Sequence, residues 1–248
     1  MSKVVLFLIA FLACSYFANS QNKIVKKSKR LNQPNTDSYW IDGESTLLKE
    51  FPLDNSANRY GVRIDIATQK IIFYKYINGK RVQIGKDSIT LHNVGSVMLE
   101  DLNGDGVKEV LVCTSPNMNG NQWILAYVYN KQIDRIQLAG NFCTNYTVNV
   151  KVKTIEVYYT GSWYMDVYKE IYKWYGCRLV PEKKVVLSII DQEKSPDSLF
   201  ILYYKNPTPG NGKLKLVSKE VYNEKNPAQL GMWDAFFDSE VTNKRNHK

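Results

Sequence analysis

The chain has 248 residues, 44% of them hydrophobic and 12% aromatic, with 33 Lys and Arg against 24 Asp and Glu for a formal charge of +9. That length suffices for one large domain or two small ones with a sizeable core. The surplus positive charge does not describe a groove-reading nucleic-acid protein, which needs its basic stripe on the folded part. Here Lys3, Lys23, Lys26, Lys27, Lys29, Arg30, Lys244, Arg245 and Lys248 carry the whole excess, and the stretch from Leu31 to Asn243 holds 24 residues of each sign.

Residues 1–20 have the form of a secretory signal. Lys3 precedes the apolar run from Val4 to Ala13, and Ala18 and Ser20 are the small residues a signal peptidase inspects, so cleavage is expected before Gln21. The run is too short for a stable transmembrane anchor, and no later segment is long and apolar enough to span. A lipid-anchored form beginning at Cys14 is the second option. The expected location is therefore secreted or periplasmic.

Residues 21–38 are polar and basic and are expected to form a disordered arm; residues 244–248 form a basic tail. Between them, 39–243 are expected to make one folded domain. From Tyr60 the chain reads as short strands separated by turns. In RYGVRIDI, Val62, Ile64 and Ile66 alternate with polar residues; KIIFYKYI follows, then Asn78-Gly79, the strongest two-residue hairpin signal, and KRVQIG.

The most specific chemical signal is DLNGDGVKE, residues 101–109. Asp101, Asn103, Asp105 and Glu109 place oxygen ligands at loop positions one, three, five and nine, the Val107 carbonyl is available at seven, and Gly106 supplies the sharp turn. A calcium ion, with its six to eight oxygen ligands, fits this alternation. An EF-hand would need flanking amphipathic helices and Glu at position twelve, where this chain has Val112; the flanks here are β-type, so the loop joins two strands. Strand, DxNxDGxxE, strand is the pattern of calcium hairpins in integrin-type propeller repeats. The alternative is an Asn/Asp/Gly turn without metal.

Strands ending in aromatic pairs mark a degenerate internal repeat: Phe73-Tyr74-Lys75-Tyr76, Ala126-Tyr127-Val128-Tyr129, Ile171-Tyr172-Lys173-Trp174 and Leu202-Tyr203-Tyr204 each precede a turn and a strand opening on a basic or polar residue. A Tyr-rich antiparallel meander is the competing explanation. The hairpin around Asp191, Glu193, Ser195 and Asp197 occupies the place of the calcium hairpin in the last unit, but Pro196 replaces the loop glycine, and it reads as a lost site. Asn226-Pro227 opens a short helix over 227–240, with Leu230, Trp233 and Phe237 on one stripe. The expected fold class is all-β, a degenerate β-propeller-like array of antiparallel hairpins with a short C-terminal helix.

Cys113, Cys143 and Cys177 allow one disulfide at most, or three packed thiols, and the spacing lacks CxxC. His92 and His247 are the sole histidines, which argues against zinc. Neither GxSxG nor a Cys and His pair supplies a nucleophile with its base, and no glycine loop for phosphate is present, so the chain is expected not to be an enzyme. Tyr158, Tyr159, Trp163 and Tyr164 surround Thr160-Gly161-Ser162 at an expected hairpin tip. Aromatics at a rigid tip suit a protein or a cell-envelope polysaccharide as partner; alternating aromatics are otherwise sheet core.

The order of DLNGDGVKEVLV, PNMNGNQ, ILAYVYN, TIEVYY and IYKWYGCRLV resembles the secreted propeller-like proteins with FG-GAP or VCBS-type calcium loops, over residues 60–182. Within them it resembles the group of periplasmic calcium-dependent inhibitors of lysozyme-like toxins. The resemblance implies a calcium-stabilised binding module, an inhibitor or immunity protein against a cell-wall hydrolase; an extracellular adhesion or carbohydrate-binding protein on the same scaffold is the second possibility. A neutral body departs from the negative patch that a basic lysozyme would select.

Overall fold

Period-two patterning becomes period-two burial. In the strand Thr154–Tyr159 the residues Ile155, Val157 and Tyr159 are buried and the intervening ones half-exposed, because successive side chains of a strand point to opposite faces. The structure, a computed structural model, describes residues 39–40, 46–65, 68–88, 94–114, 121–143, 145–159, 166–188 and 200–222. The expected signal, arm, C-terminal helix and tail lie outside the described residues, as do His92, His247, Trp163, Tyr164 and the hairpin loop at Asp191. The chain divides into Met1–Thr36 and Asp37–Lys248, and all the described strands belong to the second unit.

The strands in chain order are β1 (Tyr39–Trp40), β2 (Thr46–Phe51), β3 (Arg59–Asp65), β4 (Lys70–Ile77), β5 (Lys80–Ser88), β6 (Val94–Glu100), β7 (Glu109–Thr114) and β8 (Trp123–Asn130). They continue as β9 (Arg135–Cys143), β10 (Tyr146–Asn149), β11 (Thr154–Tyr159), β12 (Val167–Tyr175), β13 (Arg178–Ser188), β14 (Phe200–Lys205) and β15 (Lys215–Val221). No helix occurs among the described residues. All pairings are antiparallel and none of the sheets closes into a barrel: β2-β3-β4-β5 form the first, β1-β6-β7-β8-β9 the second and β10 through β15 the third.

Two core clusters explain the order. Phe51, Tyr60, Ile64 and Phe73 of the first sheet pack with Val97, Val110, Val112 and Tyr127 of the second. The opposite face of the second sheet, with Leu111, Ile124 and Phe142, packs with Ile155, Tyr172 and Trp174 of the third. The middle sheet is thus covered on both faces, which is why β7 is apolar without alternation.

The repeat is visible as a structural device. Each of the four hairpins β4-β5, β8-β9, β12-β13 and β14-β15 shifts register within its aromatic-rich strand, next to a tyrosine: Phe73/Tyr74, Ala126/Tyr127, Ile171/Tyr172 and Tyr203/Tyr204. The unpaired extra residues are Ile84, Ala139, Glu182 and Val217. A bulge of this kind bends the strand and increases its twist. The last unit is therefore aligned by Tyr204, one residue beyond the Tyr203 that the aromatic spacing suggests.

The residue after each bulge sets what comes next. A Cβ on Gly85 would lie 2.3 Å from the Ile136 carbonyl oxygen, and one on Gly140 would lie 2.8 Å from the Leu179 carbonyl oxygen. At these two positions β5 runs against β9, and β9 against β13, closely enough to exclude any side chain. The third unit has Lys183 there, and β13 instead continues its sheet by pairing with β14. The turn at Asn78-Gly79 has both residues at positive φ, 50° and 75°, as a two-residue hairpin turn requires.

Candidate functional site

The loop between β6 and β7 is anchored at both ends of its sequence. Leu102 is fully buried in the core between the second and third sheets, and Val107 is buried in the core between the first and second. The Lys108 N–H donates to the Leu53 carbonyl at 2.7 Å, tying the loop to the segment between β2 and β3. Gly104 and Gly106 take φ of 72° and 80°, conformations that L side chains resist.

All five residues expected as ligands lie in this loop. Asp101 Oδ1 accepts the N–H of Gly104 at 2.7 Å and of Asp105 at 3.2 Å, while its Oδ2 accepts that of Gly106 at 2.9 Å. Asn103 Oδ1 accepts the Asp105 N–H at 2.8 Å, and Asp105 Oδ1 accepts the Val107 N–H at 2.8 Å. Glu109 is 1% exposed; its Oε2 accepts the Leu102 N–H at 2.7 Å and its Oε1 accepts the Asn103 amide at 2.8 Å. Burial pushes the Glu109 carboxyl up to about 8; the Leu102 N–H opposes this and the nearby Asp105 and Asp101 add to it. The loop thus gathers carboxylate oxygens on its own backbone amides, and each carboxylate oxygen has more than one acceptor direction.

Among the described residues no three His, Cys, Asp or Glu side chains converge as a metal cluster. The donor set of this loop nevertheless fits calcium: carboxylate and amide oxygens, with neither thiolate nor imidazole. Next to the loop, the Tyr146 hydroxyl donates to Glu100 Oε2. The Cys177 thiol is pushed above its usual range by burial and then by the charges of Asp105 and Glu109. Cys113, Cys143 and Cys177 are free thiols that pack in or against one core cluster.

The aromatic group expected at a hairpin tip is divided. Tyr158 is half-buried, and Tyr159 is 3% exposed. Its ring stacks on Tyr168 at 4.9 Å and 12° and faces Trp123 at 6.3 Å and 24°. Tyr159 is therefore core, and it forms one wall of a cleft of about 570 Å3, lined also by Asp166, Tyr168, Lys184 and Tyr204. Lys184 Nζ lies 3.8 Å above the Tyr168 ring and 3.9 Å from Glu170 Oε2. Of these lining residues sequence reasoning reached Tyr159 alone. Registering β12 on β13 and β13 on β14 would have found the others, since Tyr168 faces Val186, Glu170 faces Lys184 and Lys184 faces Tyr204.

No family model matches the chain, and no curated protein matches it. Among solved structures, one described as the structure of a Xanthomonas Type IV secretion system related protein aligns with 77% of this chain and 96% of its own. The identity is 13% and the TM-score 0.39.

Proposed function

We propose that the chain is an exported, calcium-stabilised binding module of propeller-like architecture, working by binding and not by turnover. The observation that carries this is the loop 101–109: oxygen donors at alternate positions, turned inward by two glycines at positive φ, with its flanking residues fixed in two different cores. Asp101, Asn103, Asp105, Glu109 and the Val107 carbonyl are the groups that hold the ion, which neutralises carboxylates crowded into one turn and so makes the whole middle sheet more rigid. Successive antiparallel sheets of four, five and six strands, the middle one sharing a core with each of the others, support blade-like repetition.

The partner we propose is a cell-wall hydrolase, held off by an inhibitor or immunity protein in the periplasm or outside the cell. This rests on the resemblance carried by the loop and its flanks. A second function, binding of envelope polysaccharide on the same scaffold, is favoured by the tyrosine-walled cleft.

Calorimetric titration of the chelator-treated protein with calcium tests the first claim, together with melting curves in calcium and in chelator. A one-site isotherm is expected. At a hundredfold excess over Kd the ion adds about 2.7 kcal/mol, or roughly 5 to 10 °C in Tm for a domain of this size. Absence of both heat and Tm shift up to millimolar calcium would overturn it.

A further inference from the structure

We infer that the cleft bounded by Tyr168, Lys184, Tyr204 and Asp166 on the third sheet is a saccharide site. The inference rests on the binding-module function proposed above and gives it a ligand class. The volume, about 570 Å3, lies within the range of small-ligand pockets, which pair apolar walls with a few placed polar groups.

The walls are rigid. Tyr168 is held between the Tyr159 ring at 4.9 Å and the Lys184 ammonium at 3.8 Å, and Tyr159 is backed by Trp123. Lys184 is fixed at a second point, 3.9 Å from Glu170 Oε2, and Glu170 itself accepts the Tyr172 hydroxyl at 3.1 Å. Side chains ordered before the ligand arrives lose little entropy on binding.

The charges select the class. A cationic ligand would meet the Lys184 ammonium. An anionic one would find that ammonium already engaged by an aromatic face and a carboxylate, with the exposed Asp166 carboxylate on the same cleft. A fully apolar ligand would desolvate the Asp166 carboxylate and the Lys184 ammonium with no new hydrogen bond in return, which is costly. A neutral polyhydroxylated ring satisfies all of these: its hydroxyls donate to Asp166 and accept from Lys184 and the phenols, while its C–H face lies on Tyr204, Val186 and Leu214.

The test uses the full chain with saturating calcium, titrated by calorimetry and saturation-transfer NMR with three probes: the N-acetylglucosamine tetramer, cellotetraose and maltotetraose. At least one should bind saturably, with transfer strongest at ring C–H protons. Asp166→Ala, at an exposed position that leaves the core intact, should weaken it by about tenfold, and Tyr204→Ala should do so with Tm recorded alongside. Asp101→Asn, in the calcium loop, should leave the saccharide affinity within about twofold while removing the calcium heat, so the two claims fail separately. No saturable binding of any probe up to about 10 mM, a range weaker than millimolar lectin-like affinities, would overturn the saccharide site. So would competition by sodium sulfate at constant ionic strength, which would mark an anion site, or affinity unchanged in both cleft variants.

Discussion

Gly85→Ala probes the closest approach between sheets. A methyl group built on this residue sits 2.3 Å from the Ile136 carbonyl oxygen and 3.1 Å from the Phe73 ring, where real Cβ atoms stay beyond 3.0 Å. Both neighbours are fixed: the first is backbone of β9, the second a fully buried ring. The β5–β9 contact must therefore open by most of an ångström, and a gap of that size forfeits roughly a quarter to a half of the dispersion energy across it. Overpacking of this kind costs about 1–3 kcal/mol, and the rigid neighbours put Gly85→Ala at the upper end. The smaller unfolded-state entropy of Ala returns about 0.4–1 kcal/mol. A net loss of about 2 kcal/mol corresponds to a fall in Tm of roughly 4–8 °C for a domain of this size. Gly140→Ala, with its nearest contact at 2.8 Å, should lose about half as much by the same reasoning. Gly79→Ala meets nothing within 4 Å and should lose only the roughly 1 kcal/mol of positive-φ strain. Circular-dichroism melts in saturating calcium read all three. A Gly85→Ala protein melting within about 2 °C of wild type, or less affected than Gly79→Ala, would refute the close-packed junction.

Glu170 gives a pH signature. Burial raises its carboxyl above the ordinary 4.5, only partly opposed by Lys184 and the Tyr172 hydroxyl. The folded state thus holds the proton more tightly than the unfolded state, and this group's contribution to stability is complete below 4.5 and is lost as pH rises through the folded value. The Tm of Glu170→Gln minus that of wild type should therefore climb between pH 4 and pH 8; a flat difference would remove Glu170 as the cause. Leu102→Ala, at a fully buried position, should cost about 2–5 kcal/mol with or without calcium. Asp101→Asn should lower Tm mainly when calcium is present, and equal losses in chelator would count against the ion.

The strands were legible because their side chains alternate or, in β7, fail to alternate for a reason: β7 lies in the sheet covered on both faces. Asn78-Gly79 announced its turn through the positive φ that both positions need. The aromatic strands marked the four repeated hairpins but not their bulges, and three successive residues, Leu202-Tyr203-Tyr204, left the alignment of the last unit open by one. The dipeptides Ile84-Gly85 and Ala139-Gly140 were equally plain in the sequence; their meaning depends on a carbonyl from a strand about 40 to 50 residues away, which no local pattern announces. For the same reason Tyr159 looked like a surface aromatic: alternation identifies a face, and the partner sheet that covers it comes from tertiary packing. The turn at 101–109, with its oxygen-bearing side chains and two positive-φ glycines, was readable because all its groups are local. The cleft was not, since its lining comes from four strands and their flanks.

The pairing of β1 with β6 differs from every other ladder in its timing. The other pairs join strands adjacent in sequence, and such hairpins zip within about 1–10 μs. Tyr39 pairs with Val97 and Trp40 with Ser96, so β1 is synthesised first and waits unpaired while the entire first sheet is made. Its closure makes β2 through β5 a single long excursion of chain whose two ends meet by hydrogen bonds on the second sheet. Under tension applied at the amino terminus, this two-residue ladder is the first to part, and its release leaves β6 with an open edge while the first sheet still has all its own hydrogen bonds.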